Sequence, residues 1–470
     1  MKKFLSCFLC AAMILGIAGC SQDGTEPSGN ENTVAVTTED DNPVNVSDVN
    51  LDLNKEVDLN GKVLKYLGCY DITTAGDVKP AYVYFKETYG AEIQCDIYSD
   101  SEIMEKLITM INGGESPDLI DQRQNSFPYY IGQNAYMPLD EYMDISAPQW
   151  ADVSTYIERY AINGKHYYYP WAYYVGTRYL IYNRAKFNEI GLDDPKTLYD
   201  QGNWTWDTLT KCMTDFVTAV KGDVPDVVGM YGSVANCFIN STGVPLVGLE
   251  NGQLINNLDN ANVDRAQSFL ENLKKQGLSK LYYGEYSNVA IDPIIYGYAA
   301  FQSVGDWCIS DYSKKQSKDP DMDIFFVPFP KDPNADRYYQ TLSTFAYLVP
   351  AGAPNPEASC IFINCVRLSK TDATLMETTK ASIMKSKKYT EEQYDMWNYF
   401  QTVGNFDPDN LVSDYAYNID TETCNNVINK ICEDVPFVDN EDTQSWTVMR
   451  SSMGPMLEKS LNDINASLKG

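Results

Sequence analysis

The chain has 470 residues, with Lys+Arg 36 against Asp+Glu 65 and a net charge of −29. So acidic a chain repels phosphate backbones and anionic headgroups, which excludes general nucleic-acid binding. The length calls for two or three domain-sized units, and 44% hydrophobic residues can supply their cores. His166 is the single histidine. Zinc sites built on paired imidazoles are therefore excluded, and Ser-His-Asp chemistry has only that residue to run through. No metal or cofactor is expected. The 35 tyrosines offer flat, amphipathic surface of the kind that meets a polar ligand.

The N-terminus reads as an address. Lys2 and Lys3 precede an apolar run from Phe4 to Gly19, too short to span a bilayer comfortably but right for a secretory signal. The run ends in Ile17-Ala18-Gly19-Cys20, which resembles the lipobox of bacterial lipoproteins. That places the signal at 1–19 and makes Cys20 the lipidation site, for instance by palmitate. It anchors the mature protein to the extracytoplasmic face of the cell membrane. Losing the two lysines leaves 34 basic against 65 acidic side chains, about −31. Residues 21–60 carry ten acidic side chains and one basic among Ser, Thr, Asn, Gly and Pro, so 20–60 is expected to be a disordered tether. Of the twelve cysteines, Cys7, Cys10 and Cys20 belong to this segment. The other nine are an odd number with no Cys-x-x-Cys spacing, and buried free thiols are expected.

Beyond the tether, Lys62–Gly68 and Glu92–Tyr98 alternate as strands. Ser99-x-x-Glu102 has capping-box spacing before a helix face of Ile103, Leu107, Met110 and Ile111 that ends at Gly113-Gly114. Pro117–Ile120 reads as a further strand, so the first part is an α/β unit with a mostly parallel sheet. Thr205 caps a helix carrying Leu209, Cys212, Met213, Phe216 and Val220. Ala266, Phe269, Leu270 and Leu273 mark another, closed by Gly277. Ile324–Val327 and Phe345–Val349 read as buried strands. Asn355-Pro356 starts a helix with Ala358, Ile361, Phe362, Cys365 and Val366 inward.

Several motifs then stand in a recognisable order. Pro117-Asp118-Leu119 precedes the stretch 134–140. Gly164-Lys165-His166-Tyr167 leads to Tyr169-Pro170-Trp171, and Tyr182-Asn183-Arg184 follows. Trp204-Thr205-Trp206-Asp207, Ala299-Ala300-Phe301 with Gly305-Asp306-Trp307, and Val327-Pro328-Phe329-Pro330 complete the series. Together, over about 60–370, the chain resembles family 1 of the extracellular solute-binding proteins, the substrate receptors of ABC sugar importers typified by maltose-binding protein; residues 370–470 match more loosely. The resemblance implies the periplasmic-binding-protein fold: two α/β lobes, each a mostly parallel sheet flanked by helices, joined by crossing strands around a ligand cleft. Mapped on this chain, lobe 1 is 61–175 plus 345–405 and lobe 2 is 176–340 plus 406–470. It also implies a carbohydrate ligand, ABC permease subunits as partners, a monomer, and no enzymatic activity.

Sugars present apolar C–H faces and hydroxyl edges, so a receptor needs flat rings and a few amides or carboxylates. The family's stacking tryptophan corresponds to Trp307, with Asp306 beside it; the other reading of Trp307 is a core residue after a tight turn. Trp171, Tyr173 and Tyr174 form either a stacking wall or lobe packing. Gln122 and Asn125 match ligand-contacting positions that are an aromatic and an acid in maltose-type relatives, a departure that argues against a maltose-type ligand. Tyr70 and Asp71 follow the first strand's carboxyl end, the usual crevice of an open α/β sheet. Asn236 and Phe238 sit in a loop that touches ligand in relatives. Trp446 is either a late cleft residue or helix packing. Arg178 could pair with a carboxylated sugar, but a structural ion pair is the expectation; Trp204, Trp206 and His166 are expected in structural roles, and the acidic runs near 319–323 and 433–442 lack calcium-loop spacing. The competing classes are a surface glycosidase with two carboxylates, which has no motif support, a binding protein that presents its ligand to a membrane sensor rather than a transporter, and the same fold holding a peptide or cationic solute.

Overall fold

The computed structural model describes residues 57–176, 178–232, 234–280, 292–434 and 444–469. Cys20, the signal, the tether up to residue 56 and the acidic run 435–442 lie outside them. Leu59 is already buried in the core, so the folded body starts slightly before residue 61. Among the described residues no helix is long and apolar enough to cross a membrane.

The chain opens with β1 (Val63–Gly68), α1 (Lys79–Tyr89), β2 (Glu92–Ile97), α2 (Asp100–Gly113) and β3 (Leu119–Asp121). Ser99 and Glu102 close the capping box that starts α2, and Gly114 ends the helix in the left-handed conformation, as the sequence indicates. β1 pairs in parallel with both β2 and β3. The chain then leaves this sheet through β4 (Ala172–Val175) and enters a second one at β5 (Arg178–Asn183). Gly176 makes the turn between them at φ 78°, a conformation that a side chain would strain.

The second body contains α3 (Trp206–Val220), β6 (Val228–Tyr231), the hairpin β7 (Val247–Glu250) and β8 (Gln253–Asn256), α4 (Ala261–Lys275), β9 (Ser279–Lys280), β10 (Ala299–Gly305), α5 (Ile309–Gln316) and β11 (Ile324–Pro328). Its sheet runs β11-β5-β10-β6-β9. β10 and β9 lie parallel to β6, while β10 and β11 flank β5 antiparallel. Trp204 donates from Nε1 to Pro328 O at 2.8 Å and Trp206 stacks on Phe269, so both are structural as expected.

β12 (Gln340–Phe345) carries the chain back to β13 (Tyr347–Leu348), which completes the first sheet in the order β13-β3-β1-β2. The run expected as one strand from Phe345 is thus divided: Phe345 ends the crossing strand and Tyr347 starts the sheet strand. α6 (Pro356–Leu368), α7 (Ala373–Lys387) and α8 (Glu391–Gln401) follow. α8 reaches the second sheet, where Gln393 Nε2 donates to Ile324 O at 2.8 Å and Phe400 packs against Tyr179. β14 (Leu411–Val412) makes a third passage, and β14-β12-β4 form a small sheet of crossing strands between the bodies. Wide helical turns over 421–434 and α9 (Trp446–Ser467) end the fold. The nine body cysteines are free thiols. His166 Nδ1 lies 2.7 Å from Asp140 Oδ1, a structural contact.

Candidate functional site

Where the crossing strands leave the two bodies, a cleft of about 890 Å³ opens. One side is built from α2 and the segment after β3. The hinge contributes β12 and the tyrosines before β4, and the other side carries Arg178, Asn236, Trp307 and the segment 413–433.

Its floor is aromatic. Phe127 lies edge-on to Tyr160 with centroids 5.1 Å apart, Tyr160 and Tyr168 are 4.9 Å apart, and Tyr415 meets Phe127 at 6.1 Å. Asn418 Nδ2 donates to Phe127 O at 2.8 Å and so ties the late segment to this floor. Tyr168 donates its hydroxyl to Gln122 Oε1 and lies 2.7 Å from Thr344 Oγ1. Ala346 N also donates to Gln122 Oε1, at 3.1 Å. The Gln122 carbonyl is therefore fixed from two directions, and its NH₂, which makes no hydrogen bond to the described residues, remains for a ligand hydroxyl. The Asn125 and Asn236 amides line the same cleft without side-chain hydrogen bonds to the described residues.

Trp307 is the aromatic that offers a face. β10 ends at Gly305, and the next residues turn tightly, which carries the indole past the sheet edge. A Cβ at Gly305 would stand 2.4 Å from Trp307 Cη2, so the ring lies flat against this glycine. One face is covered by backbone, and the side chain remains 51% exposed in the cleft.

Part of the charge in the cleft is matched within the protein. Arg123 is held between Asp121, at the end of β3, and Asp100, at the start of α2. Burial lifts the Asp121 carboxyl to about 6, with Arg123 opposing the shift. Asp414 accepts backbone N–H groups from Leu246, Val247 and Ala416 at 3.3, 3.1 and 3.0 Å; burial outweighs these donors and raises its carboxyl to about 6. Arg178 lines the cleft at the head of β5.

Eight of the sequence-selected residues are not cleft residues. Trp171 is 1% exposed and stacks on Tyr347 with centroids 6.0 Å apart, because β4 is covered by β13 and α8. Tyr173 is buried against Tyr156, and Tyr174, opposite Ser343 on β12, is turned toward the charge of Asp306. Asp306 itself points away from the Trp307 face. Burial raises its carboxyl, and Lys387 opposes the shift. Tyr70 meets Tyr347 through their hydroxyls at 3.4 Å, and Asp71 caps its own turn by accepting from Thr73 N at 2.8 Å. Phe238 is core, packed on Trp206, Phe269 and Phe329. Trp446 donates from Nε1 to Asp264 at 2.6 Å and fastens α9 to α4.

The structure brings together Gln122, Asn125, Asn236 and Trp307. Sequence reasoning missed Phe127, Tyr160, Tyr168 and Tyr415. Tyr168 stood inside the Gly164–Trp171 motif, where tyrosine density was the available signal; Tyr415 lay in the loosely matching tail, which carried none.

A family model described as bacterial extracellular solute-binding protein matches residues 81–402. No curated protein matches this sequence. Among solved structures the chain is similar to the ABC substrate-binding protein Lmo0181 of Listeria monocytogenes in complex with cycloalternan, at 13% identity over 85% of this chain and 99% of that chain, TM-score 0.62. It is also similar to the sugar-binding protein MalE of Xanthomonas citri, at 16% identity over 86% and 98%, TM-score 0.62. UgpB of Mycobacterium tuberculosis in complex with glycerophosphocholine matches at 13% identity over 86% and 100%, TM-score 0.62. At such identities the likeness speaks for the fold, the two-lobed α/β architecture with its interlobe cleft. With the family model covering more than half of its length, the chain belongs to the bacterial extracellular solute-binding proteins, a family of receptors and not of enzymes.

Proposed function

We propose that this chain is the substrate-binding lipoprotein of an ABC importer, and that it captures a carbohydrate, an oligosaccharide with little or no charge, in the interlobe cleft for delivery to a membrane permease. The observation that carries this reading is Trp307, half-exposed in a cleft of amides, hydroxyls and charged side chains, among which Arg123 is paired with Asp100 and Asp121. Such a set matches a ligand with apolar ring faces and neutral hydroxyl edges. Gln122, Asn125 and Asn236 read hydroxyls, Trp307 stacks on a ring, and the tyrosine floor supplies further contact. Closure of the lobes on a loaded cleft gives the permease a distinct shape to recognise. The protein acts as a monomer, anchored outside the membrane through Cys20.

The test is thermal unfolding against a glycan panel, with peptides and quaternary amines as controls. A ligand that binds only the native state adds about 2.7 kcal/mol at a hundredfold excess over Kd. A shift with peptides or amines, and none across the glycans, moves the assignment to the non-sugar reading, since aromatic surface also receives cations. The anchor is tested separately: Cys20→Ala is expected to leave the detergent phase, and unchanged partitioning removes it.

A further inference from the structure

Arg123 is held between two carboxylates of unlike kind. Asp121 is fully buried at the end of β3 and balances the guanidinium charge by itself. Asp100, the first residue of α2, is the other partner, and its side chain is 79% exposed at the cleft edge. Exposed ion pairs contribute little to stability, so Asp121 accounts for the structural part of this contact and Asp100 is surplus to it. Asp100 makes no other hydrogen bond or ion pair to the described residues. The Arg123 side chain lines the cleft between Gln122 and Asn125, and its Nε is buried without a hydrogen-bond partner among the described residues. The guanidinium thus has donors to spare, and without Asp100 it would be open to a carboxylate on a ligand. The lining as a whole has the same sign: Asp100, Glu105, Asp414 and Glu433 stand against Arg123 and Arg178.

We propose that Asp100 is a charge filter for this cleft: as the protein's own carboxylate on Arg123, it holds the place that an acidic sugar would need and turns uronate-bearing glycans away. The proposal rests on the carbohydrate reading above and names the residue that decides which carbohydrates enter. A uronate brought to Gln122 and Asn125 meets Arg123 with both partners in place, and a third carboxylate in this corner is repelled. A neutral hydroxyl meets no such cost. Removing the Asp100 charge leaves Arg123 paired with Asp121 alone. One ligand carboxylate then restores the charges that the corner holds now.

Isothermal titration tests it, with neutral malto-, cello-, manno- and galactotriose and the uronide of each, in which every ring's primary alcohol is oxidised to a carboxylate. In the series that binds, the wild type is expected to hold the uronide about tenfold or more less tightly than the neutral sugar, the effect of like charges set side by side. A hydrogen bond to a charged group is worth about tenfold or more in affinity. Asp100→Asn should therefore move the ratio of the two affinities by about tenfold or more toward the uronide. Asp100→Ser should do the same and covers the case in which the first variant fails to fold. Glu105→Gln takes the same charge from the cleft and frees no arginine, so its ratio should move by about twofold at most. Three results overturn the filter and leave the carbohydrate reading standing: a wild type that binds a uronide as tightly as its neutral partner, a folded Asp100 variant with the wild-type ratio, or a Glu105→Gln ratio that moves as far as that of Asp100→Asn. Binding of peptides or quaternary amines with none of these sugars bound removes the carbohydrate reading, and the filter with it.

Discussion

Trp171 and Trp307 are both tryptophans in aromatic or glycine-led motifs beside the hinge, yet one is 1% exposed and the other 51%. Trp171 donates its backbone N–H to Phe345 O at 3.0 Å, alongside crossing strands that are covered by Tyr347, Phe345 and Lys370. Trp307 lies two residues beyond the last residue of β10, where the sheet has stopped and Gly305 lies beneath the ring. Position relative to a strand's end therefore decides whether the same side chain builds the hinge or the face of the cleft.

The largest effect expected from this contrast is on Trp171→Ala, which leaves a cavity in a packed core and should cost about 3–5 kcal/mol of apo stability. Chemical denaturation of the unliganded protein measures it, and affinity in the folded fraction should change little. Trp307→Ala should do the reverse. An aromatic truncated from a binding hot spot loses about 2 kcal/mol, roughly thirtyfold in Kd, while apo stability stays within about 0.5 kcal/mol, as for a surface change. Trp307→Phe should recover part of the affinity. A badly destabilised apo Trp307→Ala with normal affinity would erase the difference between the two residues.

Gly305→Ala sharpens the comparison from below. Its backbone, at φ −66° and ψ 155°, suits any residue, so the variant strains nothing but the contact with the indole. The added methyl should push the ring off its seat and weaken binding by about fivefold, roughly 1 kcal/mol, which calorimetry would detect. Unchanged affinity would show that the ring's seat is unimportant.

A pH-dependent effect concerns Asp414 on the cleft wall. Its folded carboxyl lies at about 6, above the usual value of about 3.9. The native state therefore binds the proton more tightly, and this residue's contribution to stability is full below about pH 4, falls as pH rises to about 6 and is level beyond. Apo melting temperatures of the wild type and Asp414→Asn across pH 4 to 7 should show the variant gaining on the wild type in that window. A constant or shrinking difference would mean that the three backbone donors dominate over burial.

Much of the scaffold was legible because it is local. The Ser99 and Glu102 capping box, Gly114 and the Thr205 cap act within a few residues, and α2 and α3 form where they indicate. Trp307, Gln122, Asn125 and Asn236 were legible through motif position, and all four line the cleft. Asp306 and Phe238 were chosen by the same logic and missed, because one residue's displacement along a turn or helix reverses the direction of a side chain. The aromatic floor was out of reach: Phe127, Tyr168 and Tyr415 are far apart in the chain and meet only because three strands cross between the bodies. The sequence by itself determined the helix ends and the family of the fold, since each is written in neighbouring residues. Tertiary structure alone decided which aromatics face the cleft and which hold the hinge, because burial depends on what distant segments bring to cover them.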